Sequence, residues 1–296
     1  MQNIEISLFG IRRTGNHAII SWIIEHYPGP LVFVNNVNGH DTIPFPESPI
    51  RPGTEHPFQD RITVKKLPYY KVKEKCSSLI KYVFTRPSTY SLVPSDTSVN
   101  LDYLLEVGKD LFMYSFEDIH PSDSRFINFD QSINQYIGMS QTRMNIVMLR
   151  DPFNLFASLL QSEMMKRTTE SSQKYIQLFK DYATTFLSHE SISTDSTAPS
   201  ILINYNSWVA NAEYRTKVSQ QLGLLPSAQN VFQKVSTRGG GSSFDQTTYS
   251  RNASQMKVFE RWKGFKDDPF YLNLFKDDEL VDLSNQIFGA IAPEIV

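Results

Sequence analysis

The chain has 296 residues, and its 29 Lys plus Arg against 31 Asp plus Glu leave a formal net charge of -2. That balance lacks the cationic surface that bulk nucleic-acid or anionic-membrane binding needs, yet leaves room for a local basic pocket around one small anion. Cys76 stands alone, which excludes a disulfide framework and a cysteine-based zinc site, and no apolar run approaches the roughly 18 residues of a membrane span. The expectation is a soluble, cytoplasmic, enzyme-sized protein folded as a single domain over 1–296.

In chain order the expected elements alternate. Ile4–Phe9 is a short apolar strand and Gly10–Asn16 a loop. His17–Tyr27 carries Ile19, Ile20, Ile23 and Ile24 at helical spacing and stops at Pro28-Gly29-Pro30. Leu31–Asn35 reads as a second strand. Strand, tight loop, helix and strand make a βαβ-like opening, so the expected class is α/β, a P-loop-like central parallel sheet flanked by helices. Residues 36–60 break the pattern with Pro44, Pro46, Pro49, Pro52 and Pro57. So long an irregular segment is usually functional or disordered. Strands are expected at Leu79–Phe84, Leu111–Ser115 and Asn145–Leu149, and a helix at Leu101–Val107. Asp151-Pro152 supplies an N-cap and a first-turn proline for a helix over Phe153–Met165. A Ser/Thr-rich linker at 188–200 leads to a strand at Ile201–Tyr205, and the remainder is mostly helical, around Gln255–Phe265 and Asp278–Ile291.

Two segments carry chemistry. Gly10-Ile11-Arg12-Arg13-Thr14-Gly15-Asn16-His17 has the glycine spacing of a P-loop, G-x-x-x-x-G-K-[ST], with Asn16 for the Lys and His17 for the Ser or Thr. A glycine turn feeding a helix N-terminus offers backbone N–H groups and a favourable dipole to an anion, and Arg12 and Arg13 add cationic donors. The hydroxyl that holds Mg²⁺ is missing, so the loop suits a phosphate better than the splitting of a nucleoside triphosphate. The second segment begins at Arg150, at the end of an expected strand, where open α/β sheets place ligands. Ser158 follows eight residues later. A guanidinium fork and a hydroxyl two turns into a helix can converge on one phosphate. The plainer alternative is an ordinary strand-to-helix turn, Arg150 paired with Asp151 or Asp130, and Ser158 idle on a helix face.

Together these segments resemble the sulfotransferases that use 3′-phosphoadenosine 5′-phosphosulfate (PAPS), especially bacterial and cyanobacterial members. Arg13-Thr14-Gly15-Asn16-His17 stands where that family has Lys-Ser-Gly-Thr-Thr around the 5′-phosphosulfate. Arg150 and Ser158 match the spacing of the family's arginine and serine. Ile201-Leu202-Ile203-Asn204-Tyr205 resembles its strand ending in the Tyr on the adenine side, although Asn206-Ser207-Trp208 replaces the acidic residues. Lys217–Leu225, with Leu222-Gly223-Leu224, resembles the helix that comes next. Arg238-Gly239-Gly240-Gly241 is nearest to the family's Arg-Lys-Gly for the 3′-phosphate, with Arg261-Trp262-Lys263-Gly264 second. The resemblance spans 4–21 and 144–241; residues 36–140 do not align. It implies that PAPS is held by Arg12, Arg13, Thr14, Gly15, Asn16, His17, Arg150, Ser158, Tyr205, Arg238, Gly239 and Gly240, and leaves as 3′-phosphoadenosine 5′-phosphate (PAP). No metal is implied, and His26, His56 and His189 show no ligand spacing.

The resemblance also assigns roles. Arg13 occupies the position of the family's loop lysine and would oppose the charge that grows on the leaving oxygen. An acceptor hydroxyl needs a general base. The interval where relatives keep theirs contains Glu117, Asp118 and His120; Glu117 is favoured, ahead of Asp118, His120, His40 and Asp130. The acceptor is expected to be a small molecule with a hydroxyl or amine. The 36–60 segment, with Asp41, Glu47, Glu55 and Asp60, reads as an acceptor lid whose acidity suits a cationic acceptor, such as a guanidinium alkaloid of the saxitoxin type. Two other readings compete: a P-loop small-molecule kinase, and a nucleotide-binding protein without turnover.

Overall fold

The computed structural model describes residues 3–29, 31–35, 62–65, 73–76, 79–82, 91–92, 110–124, 126, 140–188, 199–226, 235, 241–250 and 252–295. The opening strand β1 (Ile4–Gly10) is followed by α1 (Asn16–His26) and β2 (Leu31–Val34). Four short strands come next, β3 (Ile62–Lys65), β4 (Lys73–Cys76), β5 (Leu79–Tyr82) and β6 (Ser91–Leu92). The longer β7 (Leu111–Glu117) and β8 (Thr142–Leu149) precede α2 (Pro152–Gln161) and α3 (Thr169–Ser188). Then come β9 (Ser200–Asn204), α4 (Tyr205–Ala210), α5 (Ala212–Gln221), α6 (Pro269–Leu274) and α7 (Asp278–Phe288).

The main sheet runs β6-β3-β2-β7-β1-β8-β9. Its β2, β7, β1, β8 and β9 are joined by parallel pairings, while β3 and β6 add an antiparallel edge. The α/β class expected from the sequence is the observed one. The strand at Leu79–Tyr82 belongs to a separate antiparallel pair with β4. Residues 36–61, the expected helix at 101–107, the linker at 189–198 and Arg238, Gly239 and Gly240 lie outside the described residues.

Side-chain parity explains the layers. On β7, Phe112, Tyr114 and Phe116 join one core, while Leu111 and Met113 join the other. On β8, Val147 and Leu149 share the first face, and Ile146 and Met148 the second. Successive strand residues point to opposite faces, so near-continuous apolar strands need cover on both sides. Helices α2, α3, α6 and α7 cover the first face; α1, α4 and α5 cover the second. Each fully buried Phe, Leu or Ile stabilises by roughly 1.5–3 kcal/mol.

Several boundaries differ from the expected ones for local reasons. Glu117 is the last residue of β7, not a turn residue beyond it. Helix α2 stops at Gln161 because the Ser162 hydroxyl donates to the Ser158 carbonyl and Glu163 turns left-handed, at φ 56°. Tyr205 opens α4 instead of closing β9, with the Asn204 side chain capping that helix through Ser207 N. In place of the helix expected around Gln255–Phe265 stand two 3₁₀ turns, Ala253–Gln255 and Arg261–Phe265, with residues 256–260 between them and Met256 extended. Helix α7 ends at Phe288 because Gly289 takes φ 72°. The 20-residue α3 was not expected; its buried Ser172, Tyr175, Phe179, Tyr182, Ala183 and Phe186 form one helical face.

Candidate functional site

Register brings the carboxyl ends of the central strands to one edge. Gly10 of β1 lies opposite both Glu117 of β7 and Met148 of β8, and Leu149 lies opposite Asn204 of β9. The loop after β1, Glu117, Arg150 and Tyr205 therefore surround one cleft. Ligands in open α/β sheets bind outside such ends. The cleft holds about 1120 Å³ of space, its open mouth included.

The glycine loop is built for close approach. Gly15 caps α1 at φ 104°, with no side-chain cap hydrogen bond. The first intrahelical acceptor is its own carbonyl, which takes the N–H of Ala18 and Ile19. A helix N-terminus without a side-chain cap offers its first N–H groups and its dipole to an anion. A Cβ on Gly10 would strike the Asn16 side chain, whose Oδ1 lies 2.3 Å from that point. The Asn16 amide donates to the Ile11 carbonyl at 3.2 Å. Asn16 thus closes the loop on itself and fills the space beside Gly10, a role its sequence position did not suggest. Thr14 is fully buried beneath the loop.

Arg12 and the end of β7 form a clamp. The Arg12 backbone N–H donates to Asp118 at 2.8 Å, and its Nε lies 3.3 Å from Asp118 Oδ2 and 3.5 Å from Glu117 Oε2. Tyr175 from α3 donates to Asp118 at 3.2 Å. Asp118 is consequently engaged in holding the loop. Glu117 lines the cleft, with its second oxygen, Oε1, 3.6 Å from His17 Nε2. Burial raises the Glu117 carboxyl above the usual range, Arg12 opposing and Asp118 adding to the shift. His120 does not join this group. Its Nε2 faces Thr185 at 2.9 Å and its Nδ1 faces Ser122 at 2.7 Å, so it pins the turn after β7 to α3. The candidate bases His40 and Asp130 lie outside the described residues.

The strongest electrostatic feature is deeper. Arg150 is buried, and it donates to the Arg13 carbonyl at 3.2 Å, to Ser158 Oγ at 3.3 Å and to the Val258 carbonyl. Arg261 donates to the same Ser158 Oγ at 3.0 Å and to Ser242 Oγ at 3.1 Å. The Ser158 hydroxyl gives its own proton to the Asn154 carbonyl at 2.8 Å, so toward the arginines it is an acceptor. Asp151 is occupied by Asn154 and Asn206. Among the described residues no carboxylate forms an ion pair with Arg150 or Arg261. Burial first, and Arg150 second, bring Arg261 down to about 9. Two guanidiniums brought onto one hydroxyl, Arg150 buried and Arg261 half-buried, demand a counter-charge.

Arg13 completes the cation set. It takes a left-handed φ of 66° and donates to the Gly241 carbonyl at 3.3 Å. Burial lowers its pKa, which Glu117 opposes and Arg12 reinforces. Tyr205 packs its ring on Gly15 and under the Arg150 guanidinium, 5.3 Å from the ring centroid. Of the residues named from the sequence, Arg12, Arg13, Gly15, Asn16, His17, Glu117, Arg150 and Tyr205 line this cleft. Ser158 sits behind its arginines. Arg261, named second for the Arg-Lys-Gly position, also lines the cleft, whereas Arg238, named first, lies outside the described residues. Sequence reasoning did not name Ser242 or Met256, which also line the cleft. Only the Gly-Gly-Gly-Ser-Ser run at 239–243 hinted at the first.

Among the described residues no group of three His, Cys, Asp or Glu could hold a metal, and no helix is long and apolar enough to cross a membrane. No family model matches the chain, and no curated protein matches it. Among solved structures, the chain is similar to the sulfotransferase domain of the olefin synthase from Synechococcus PCC 7002. The TM-score is 0.46 and the identity 11%, over 96% of this chain and 94% of that one.

Proposed function

We propose that the chain is a sulfotransferase that takes its sulfuryl group from PAPS. The observation that carries this reading is the convergence of Arg150 and Arg261 on Ser158 without an ion-paired carboxylate among the described residues. A terminal phosphate fits that donor set, because two planar forks can share its oxygens. Some 140 residues earlier in the chain, the uncapped start of α1 and Arg13 supply a second anionic position at the same cleft. A nucleotide with phosphates at both the 3′ and 5′ positions matches two such positions; ATP, with one phosphate chain, does not.

PAPS would supply an activated sulfuryl group. The protein's own contribution follows from charge. Arg13 opposes the negative charge developing on the phosphate oxygen. Glu117, raised by burial, takes a proton from the acceptor hydroxyl within the same cleft. The acceptor is a small molecule with a hydroxyl or amine. Its preference for a cationic acceptor, such as a saxitoxin-type alkaloid, rests on the acidic 36–60 segment alone. The test compares thermal shifts with PAP, 5′-AMP and ATP·Mg, followed by transfer of labelled sulfate from PAPS. A ligand at one hundred times its dissociation constant stabilises by about 2.7 kcal/mol. PAP alone should reach that shift at micromolar levels; equal shifts with all three would overturn the reading.

A further inference from the structure

The loop departs from its family pattern at His17, and that departure meets the proposed base. His17 Nε2 lies 3.6 Å from Glu117 Oε1, with side-chain exposures of 23% and 15%. The other carboxylate oxygen, Oε2, lies 3.5 Å from Arg12 Nε. Each oxygen thus faces one basic group. Both residues line the cleft, one from the first turn of α1 and one from the end of β7.

We propose that His17 and Glu117 act as one proton-sharing pair, in which Glu117 takes the acceptor's proton and His17 Nε2 receives it. The proposal deepens the sulfotransferase reading and rests on it. The acceptor's O–H bond breaks as its oxygen bonds to sulfur. The electron pair of the severed sulfur–oxygen bond stays on the phosphate oxygen. The proton passes to Glu117, then to His17 Nε2, and leaves to water after product release.

The charges around His17 give this order a reason. Glu117 favours the imidazolium; Arg12, Arg13 and the α1 N-terminus disfavour it. In the empty loop these influences oppose each other. Once the sulfuryl group has left, the phosphate in the loop carries one more negative charge. That charge offsets the arginines and makes His17 a better proton acceptor when the proton arrives. A Thr at this position, as in the family pattern, has no titrating group to respond.

The test is an imidazole NMR titration of the full chain, with His17 identified by its absence from His17→Gln. Glu117→Gln should lower the His17 midpoint by about one pH unit, and saturating PAP should raise it in the wild type by a similar amount. A second measurement covers the case in which His17→Gln does not fold. Calorimetry in buffers of different ionisation enthalpy counts protons taken up with PAP, and Glu117→Gln should take up fewer than wild type at pH 7.5. If PAP binds but neither the midpoint nor the proton count responds, the pair is overturned and the sulfotransferase reading stands. If PAP does not bind, that reading falls, and the Glu117→Gln comparison in the free protein still decides the pair. A midpoint that ignores Glu117→Gln overturns it under every condition.

Discussion

The ring of Tyr205 occupies the space that a side chain on Gly15 would need. A Cβ built on Gly15 lies 2.1 Å from Tyr205 Cε2, and the backbone there is left-handed at φ 104°. The helix after β9, α4, therefore begins by pressing an aromatic ring onto the loop that follows β1. The same ring lies beneath Arg150 and stacks on Trp208, 6.0 Å between centroids. One residue thus fixes the loop relative to the buried arginines.

Gly15→Ala should accordingly be costly twice over. The left-handed backbone and the ring clash each cost on the order of 1–3 kcal/mol. Thermal unfolding should show a melting temperature lower by several degrees, and PAP binding should weaken with it. Adding Tyr205→Ala should restore part of the stability, because contacting residues couple. Strict additivity of the two losses would show that the contact is not the cause.

Arg261 and Arg150 separate binding from stability. Arg261→Met removes one of two half-buried or buried cations that share the Ser158 hydroxyl, so the free protein should be as stable as wild type or more so. Its preference for PAP over 5′-AMP should fall by roughly ten- to a hundredfold, as a charge-assisted contact of about 1.5–3 kcal/mol predicts. Arg150→Ala should weaken PAP binding too, but also destabilise the fold, since the Arg13 and Val258 carbonyls lose their donor. Titration calorimetry with both nucleotides distinguishes the two variants. A PAP preference untouched by Arg261→Met would remove Arg261 from the 3′-phosphate site.

Glu117→Gln should trade turnover for stability. The folded-state pKa of Glu117 is raised, so folding favours its neutral form. The stability linked to that shift is present below the usual carboxylate pKa and is lost as pH rises through the folded value. At neutral pH the ionised group therefore costs stability, and the amide removes that cost. Unfolding curves at pH 5 and pH 7.5 should converge in the variant more than in wild type. Turnover should drop by about a hundredfold or more, the usual worth of a general base. Normal turnover in Glu117→Gln would move the base elsewhere.

How far the sequence carried depended on whether the signal was local. The β1–loop–α1 opening is written in consecutive residues, and Asp151-Pro152 marks the start of α2 through its cap and first-turn proline. Arg150 and Ser158 are legible because eight residues span a strand end and two helical turns. Arg261 is different: more than a hundred residues separate it from Ser158, and only the folded chain brings its guanidinium to that hydroxyl. The same holds for Asn16, which the resemblance places among the residues that hold the cofactor. In the fold its amide donates to the Ile11 carbonyl, and its side chain sits in the space that Gly10 leaves. Helix α3 was missed although its apolar spacing is regular, since its face carries Ser172, Tyr175 and Tyr182 among polar neighbours.

The hydrogen bonds of His120 fix both its tautomer and its pH dependence. The Ser122 backbone N–H donates to His120 Nδ1 at 3.3 Å, so that nitrogen is an acceptor. The proton then sits on Nε2, which donates to Thr185 Oγ1, and the Thr185 hydroxyl passes its own proton to the Asp181 carbonyl at 3.1 Å. Protonating Nδ1 would set two donors against each other. Burial also lowers the His120 pKa, with Asp181 and Asp123 opposing. A histidine whose folded pKa is depressed contributes stability that is complete above its unfolded pKa and lost as pH falls through the folded value. Wild-type stability should therefore decline from about pH 6.5 downward, near the ordinary histidine pKa. His120→Asn should be less stable than wild type at pH 7.5 yet show a flatter decline toward pH 5, measured by urea unfolding. PAP affinity at pH 7.5 should be unchanged, since His120 points away from the cleft toward α3. A variant that lost turnover without losing stability would instead return His120 to the list of bases and require the turn after β7 to rearrange when the acceptor binds.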